Sequence, residues 1–149
     1  MARILVIANQ TIAEAPLAEA IAARVRSGDC EFFIVVPATP PHEQLTWTEG
    51  GARSIAAHRL AEAISVLRAC GASVDGDVGD PSPVVAAADA LRRGPAYDEV
   101  IVSTFPPGAS RWLKMDLPSR LARLSRLPVC HVIAAPKAAP VSGGSDPLP

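Results

Sequence analysis

Arg111 and Lys114 stand a few residues ahead of Pro118-Ser119, and that spacing has a chemical meaning. A helix opening near Pro118 turns its free first-turn N–H groups and the positive end of its dipole toward the two cations, and Ser119 adds a hydroxyl; such an arrangement attracts an anion such as phosphate. Asp116 supports a different reading, in which its carboxylate caps that helix and the basic side chains are merely solvated. The residues alone leave both open. Asn9 and Ser103 form a second polar pair. Each ends an apolar run, where a side chain either meets a ligand or satisfies nearby backbone.

Other reactive residue types lack the spacing that chemistry needs. His58 shares a polar helical stripe with Ser54, Glu62 and Ser65, which reads as a solvated face. His131 sits beside Cys130 in an apolar run and reads as a packed histidine. His42, in a long irregular stretch with Pro40-Pro41 and Trp47, is the histidine best placed to touch a ligand; Trp47 either stacks on a base or closes that loop over the core. Cys30, Cys70 and Cys130 make neither a CxxC pair nor a disulfide framework, and Cys30 and Cys70 read as small hydrophobes. No metal-ligand spacing, GxGxxG, GxxxxGK[ST] or GxSxG is present, and no nucleophile is paired with a base. Catalysis has no visible machinery.

The elements that must position these residues follow from hydrophobic patterning. Five apolar runs read as strands: Ile4 to Ala8, Phe32 to Val36, Ser73 to Val78, Val100 to Val102 and Val129 to Ile133. Four are nearly continuous, as strands covered on both faces should be. Between them, Leu17, Ile21 and Val25 recur at helical spacing after Pro16 and before Gly28; Leu60, Ile64 and Leu67 do so between Ala52 and Cys70. A third helix follows Asp80 or Ser82 as N-cap and ends at Gly94-Pro95. A fourth runs from Pro118 to Arg126 with Leu121 and Leu124 inward. Alternating strands and helices imply right-handed crossovers and a three-layer α/β/α fold, Rossmann-like, with a five-stranded mostly parallel sheet in the order 3-2-1-4-5. Its ligand crevice lies where the strand order reverses, between the first and fourth strands. The third and fifth strands are then the edges. The third is expected to be broken by Asp75, Gly76 and Asp77, and the fifth is apolar and unprotected.

The 149 residues suit one domain, expected over 1–135, followed by a Pro/Gly-rich flexible tail over 136–149. The Ser142-Gly143-Gly144-Ser145-Asp146 string in that tail resembles a pyrophosphatase loop in letters only, because no strand precedes it. Apolar residues are 49% and charged ones 19%, a globular composition, and the net charge is −1. That balance carries no electrostatic footprint for nucleic acid or an anionic membrane. No apolar run approaches the roughly 18 residues of a membrane span, and the opening apolar stretch is too short for a secretory signal. A cytoplasmic location is expected.

Three stretches then resemble a known family: Ile4-Leu5-Val6-Ile7-Ala8-Asn9; Gly79-Asp80-Pro81; and the length and pattern of the span from Ile101-Val102-Ser103 through Leu127 to Val132. From Arg3 to Ala134 the chain is similar to a universal stress protein domain. Nucleotide-binding members of that family carry G-x2-G-x9-G-[ST] in the last span. The matching positions here are Phe105, Gly108, Pro118 and Ser119, so one glycine and the hydroxyl are kept. Asn9 replaces the family's acidic residue, and its adenine-side backbone contact falls on about Val35. The resemblance implies an adenine nucleotide, ATP or AMP, bound by Asn9, Val35, Gly108 and Ser119 with Arg111 and Lys114 assisting, in a stress-response homodimer joined through the last strand, Pro128 to Ala134. Pro118 removes one N–H donor, and a hydrogen bond to a charged group is worth roughly 1.5–3 kcal/mol. The competing implication is a structural or regulatory dimer that binds no nucleotide, its pocket filled by Phe105 and Asp116.

Overall fold

The computed structural model describes residues 1–39 and 49–134. His42, Trp47, the tail from 136 onward and its Ser-Gly-Gly string lie outside the described residues. The chain runs β1 (Ala2–Ile7), α1 (Ala15–Ser27), β2 (Cys30–Pro37), α2 (Glu49–Ala69), β3 (Ser73–Gly79), α3 (Pro83–Arg93), β4 (Glu99–Thr104), α4 (Arg111–Lys114), α5 (Leu117–Ser125) and β5 (Val129–Ile133). The five strands form one sheet in the order β3-β2-β1-β4-β5, every neighbouring pair parallel. The expected topology is the observed one.

Period-two alternation explains the layers. Ile4, Val6 and Ala8 point to one face, where they meet Leu17 and Ile21 of α1 and Ala56, Leu60 and Ala63 of α2. Leu5 and Ile7 point to the other, against Ala86 and Ala87 of α3 and Leu117 and Leu121 of α5. The central strands are therefore apolar on both faces, which is why their sequences read as unbroken runs. Small alanines on α2 and α3 let those helices lie close to the sheet.

Several local expectations are corrected. β3 is continuous, pairing from Ser73 through Gly79 with β2. Asp75 and Asp77 project into water, while Gly76 lets helix and strand approach: a Cβ there would lie 2.5 Å from the Ile34 carbonyl oxygen and 2.8 Å from Leu60 Cδ1. Leu124 is 45% exposed rather than inward. The inward pair on α5 is Leu117 and Leu121, and a left-handed residue at Arg126 (φ 59°) ends the helix so that Leu127 covers the core instead. Asp116 holds the N-cap position of α5 with left-handed backbone (φ 56°), and its side chain makes no capping bond. Cys70 is exposed, whereas Cys30 and Cys130 are half-buried against the core. The connection from Phe105 to Leu117 contains the single turn α4, which Ser110 caps by accepting from the Leu113 N–H at 3.1 Å.

Candidate functional site

β1 and β4 lie side by side, with Ile7 opposite Val102. After them the chain departs to opposite faces, into α1 on one side and α4–α5 on the other. The divergence opens a crevice beyond the strand ends, as a reversal of strand order requires. Its volume is about 370 Å³, and the described lining includes Asn9, Thr11, Thr39, Ser103, Phe105 and Ser110.

Hydroxyl groups from separate elements meet at its base. Thr11 Oγ1 and Ser103 Oγ are 2.6 Å apart and both residues are buried. Thr104 Oγ1 donates to the Phe105 carbonyl at 2.8 Å, which leaves it to accept from His131 Nε2, also at 2.8 Å. Burial lowers the His131 pKa and so favours the neutral ring. In that arrangement the imidazole donates to Thr104 and is not placed to remove its proton. Ser110 is buried, and its oxygen accepts from Leu113, which leaves its hydrogen and one lone pair for a ligand.

The other wall comes from the ends of β2 and β3. Thr39 Oγ1 donates to the Pro81 carbonyl at 2.7 Å, joining the two loops. Gly79 permits the close seat of α3: a Cβ there would fall 2.7 Å from Ala86 Cβ and 2.9 Å from Val35 Cγ1. That seat brings Pro81, Ser82 and Pro83 to the crevice. Ser82 caps α3 by accepting from the Val85 N–H at 3.4 Å.

Of the polar residues singled out from sequence, Asn9, Ser103 and Arg111 line the crevice. The Asn9 side chain donates from Nδ2 to the Pro37 carbonyl at 2.9 Å and accepts at Oδ1 from Arg59 at 2.6 Å, so it does satisfy backbone while facing the crevice. Gly108 is exposed in a turn with φ 90°, and its neighbour Ala109 is the lining residue. Val35 lies within β2 rather than at its end, opposite both Ile7 and Asp77, with its carbonyl accepting from Ala8 at 3.3 Å. The strand continues to Pro37, and Thr39 is the residue that reaches the crevice from it. Lys114 and Ser119 are exposed and outside the described lining. Phe105 lines the crevice; Asp116 is exposed and does not.

Sequence reasoning missed Thr39, Ser110, Met115 and Arg59. Ser110 carried a usable signal, as a serine three residues before an amide it could cap. Arg59 carried none, because its role depends on how α2 crosses the sheet.

The sequence matches no family model and no curated protein. The fold does match solved structures. A universal stress protein family protein from Arabidopsis thaliana, with AMP bound, superposes with a TM-score of 0.62 over 91% of this chain and 93% of its own, at 10% identity. A universal stress protein in complex with cAMP gives a TM-score of 0.60 over 91% of this chain and 100% of its own, at 16% identity. This is the universal stress protein fold. Within it, the crevice described above lies at the switch point of the sheet. Among the described residues, no helix is long and apolar enough to cross a membrane, and no cluster of three His, Cys, Asp or Glu side chains could hold a metal ion.

Proposed function

We propose that this chain is a universal-stress-type binding module whose crevice takes an adenine nucleotide, ATP or AMP. It acts in the cytoplasm in stress response, by binding rather than by turnover, as a homodimer joined through residues 128–134. The domain extends over 1–135, with the remainder as a tail. The observation carrying the reading is the crevice itself: hydroxyls of Thr11, Ser103 and Ser110 at its base, Phe105 and Trp112 as apolar walls and Arg111 beside them. Polar groups few in number and convergent, set among apolar surface, are what a small-molecule site requires. The two structures named above hold AMP and cAMP.

Phe105 favours a second reading, a dimer of the same fold that binds no nucleotide, because its ring occupies crevice wall where the family motif has glycine. One experiment separates the two. The purified chain is denatured and any released nucleotide identified by mass, and melting is then followed against ATP and AMP. Ligand at 100 times Kd stabilises by about 2.7 kcal/mol, which raises Tm by roughly 5–10 °C in a domain of this size. A rise of that order supports nucleotide binding. A flat melt with no co-purified nucleotide supports the second reading.

A further inference from the structure

Arg59 is the cation that the sequence did not place. It rises from α2, on the face of the sheet opposite α3, and is half-buried. Its guanidinium donates to Asn9 Oδ1 at 2.6 Å, and Asn9 faces the crevice. Neither Arg59 nor Arg111 has an ion-pair partner among the described residues. No acidic side chain is among the described lining residues.

Among the described residues, the identity of residue 9 is what leaves Arg59 uncompensated. Asn9 is neutral and presents an N–H to the Pro37 carbonyl at 2.9 Å. A carboxylate in the same rotamer would cancel the Arg59 charge and set an oxygen against that carbonyl. Local geometry thus selects the amide, and among the described residues the amide leaves the Arg59 charge unpaired behind the crevice. A cleft with low-dielectric walls and charge of one sign focuses potential on whatever enters it.

We infer that the crevice selects its ligand by charge, with Arg59 behind Asn9 and Arg111 in the lining forming a two-cation receptor for a phosphomonoester dianion. The inference rests on the nucleotide reading for the identity of the base, but not for the charge. A phosphomonoester carries close to two negative charges at neutral pH, a cyclic phosphodiester one and a nucleoside none. Affinity therefore falls in the order AMP, cAMP, adenosine. Arg111 is the contacting residue, and Arg59 is a positioning residue that acts through Asn9 and through its field.

Titration calorimetry on the full chain with AMP, cAMP, adenosine and inorganic phosphate tests this. Arg59→Gln keeps a donor for Asn9 and removes the charge; it and Arg111→Gln each weaken AMP by about tenfold, the scale of one unit charge across a partly screened site. Adenosine binding stays where it was, which a collapsed crevice would not allow, and Arg59→Lys restores AMP affinity. Independently of any variant, raising salt from 50 to 500 mM weakens AMP binding to the native chain and leaves adenosine unchanged. Adenosine binding as tightly as AMP, or an AMP affinity indifferent to salt, overturns the inference while leaving the nucleotide reading intact. Phosphate binding that is lost in both glutamine variants, without binding of any nucleotide, upholds the charge receptor and removes the nucleotide. No binding by any of the four probes overturns both.

Discussion

His131 shows how one side chain couples the crevice to the edge of the sheet. It sits on β5, opposite Val102, and reaches Thr104 at the end of β4 with Nε2 2.8 Å from Oγ1. Burial pushes its imidazole below the ordinary value of 6.5, so the unfolded chain takes up the proton first as pH falls. Stability from this residue is therefore complete above about 6.5 and is lost progressively on acidification toward the lower folded value. Urea denaturation at pH 7.5 and 5.5 should show His131→Gln losing less stability across that interval than the native chain. An equal or larger loss in the variant would contradict the assignment. The apolar surroundings of His131 were legible in its neighbours Val129, Cys130 and Val132, whereas its partner Thr104 was not. That hydrogen bond spans 27 positions and exists only because β4 and β5 are adjacent.

At the scale of elements, small residues decide how closely the layers approach. Gly76 sits mid-strand on β3, where its sequence neighbours Asp75 and Asp77 suggested an interruption. The strand instead continues, and the missing Cβ makes room for the Ile34 backbone and Leu60. Gly76→Ala forces the β2–β3–α2 contact apart and should cost about 1–3 kcal/mol, the usual range for overpacking a close contact. Guanidinium denaturation measures it, and a loss below about 0.5 kcal/mol, the range of ordinary surface changes, would show that the contact relaxes freely. α4 illustrates the opposite limit. It is four residues long, too short to display a period, and its capping Ser110 is buried at the crevice. No pattern method recognises a single turn, yet that turn orients Arg111.

At the scale of the whole molecule the two sheet edges differ. The edge strand β3 carries the exposed Asp75 and Asp77, whereas β5 ends in Ile133, 43% exposed. Charge on an edge discourages further pairing and an apolar edge invites it. Pro128 accepts from Val100, and Ala134 donates to Thr104, so even-numbered residues of β5 face β4. In a parallel ladder the odd-numbered ones then point their N–H groups outward. Val132 is buried in the core, which makes a charge there a test of folding rather than of assembly. Ile133→Pro removes one outward N–H and spares the ladder to β4. If the chain dimerises through β5, sedimentation at micromolar concentration should give a dimer for the native chain and a folded monomer for this variant. A native monomer, or a variant dimer, would exclude pairing through this edge.

The sequence by itself determined the order of the strands and of the helices longer than a single turn and, through that order, the topology. Apolar runs longer than a half-buried strand needs, separated by helical spacing, leave a parallel sheet with crossovers as the compact solution, and its reversal point follows. Asn9 and Arg111 could be placed at that point because each lies within a few residues of an element whose end was legible. Tertiary structure alone decided that β2 continues to Pro37 so that Thr39 reaches the crevice, that Leu127 rather than Leu124 seals α5, and that Arg59 stands behind Asn9. Each of these depends on contacts between segments far apart in the chain. Patterning reports which face of an element is apolar, and it carries no information about which distant side chain that element will meet.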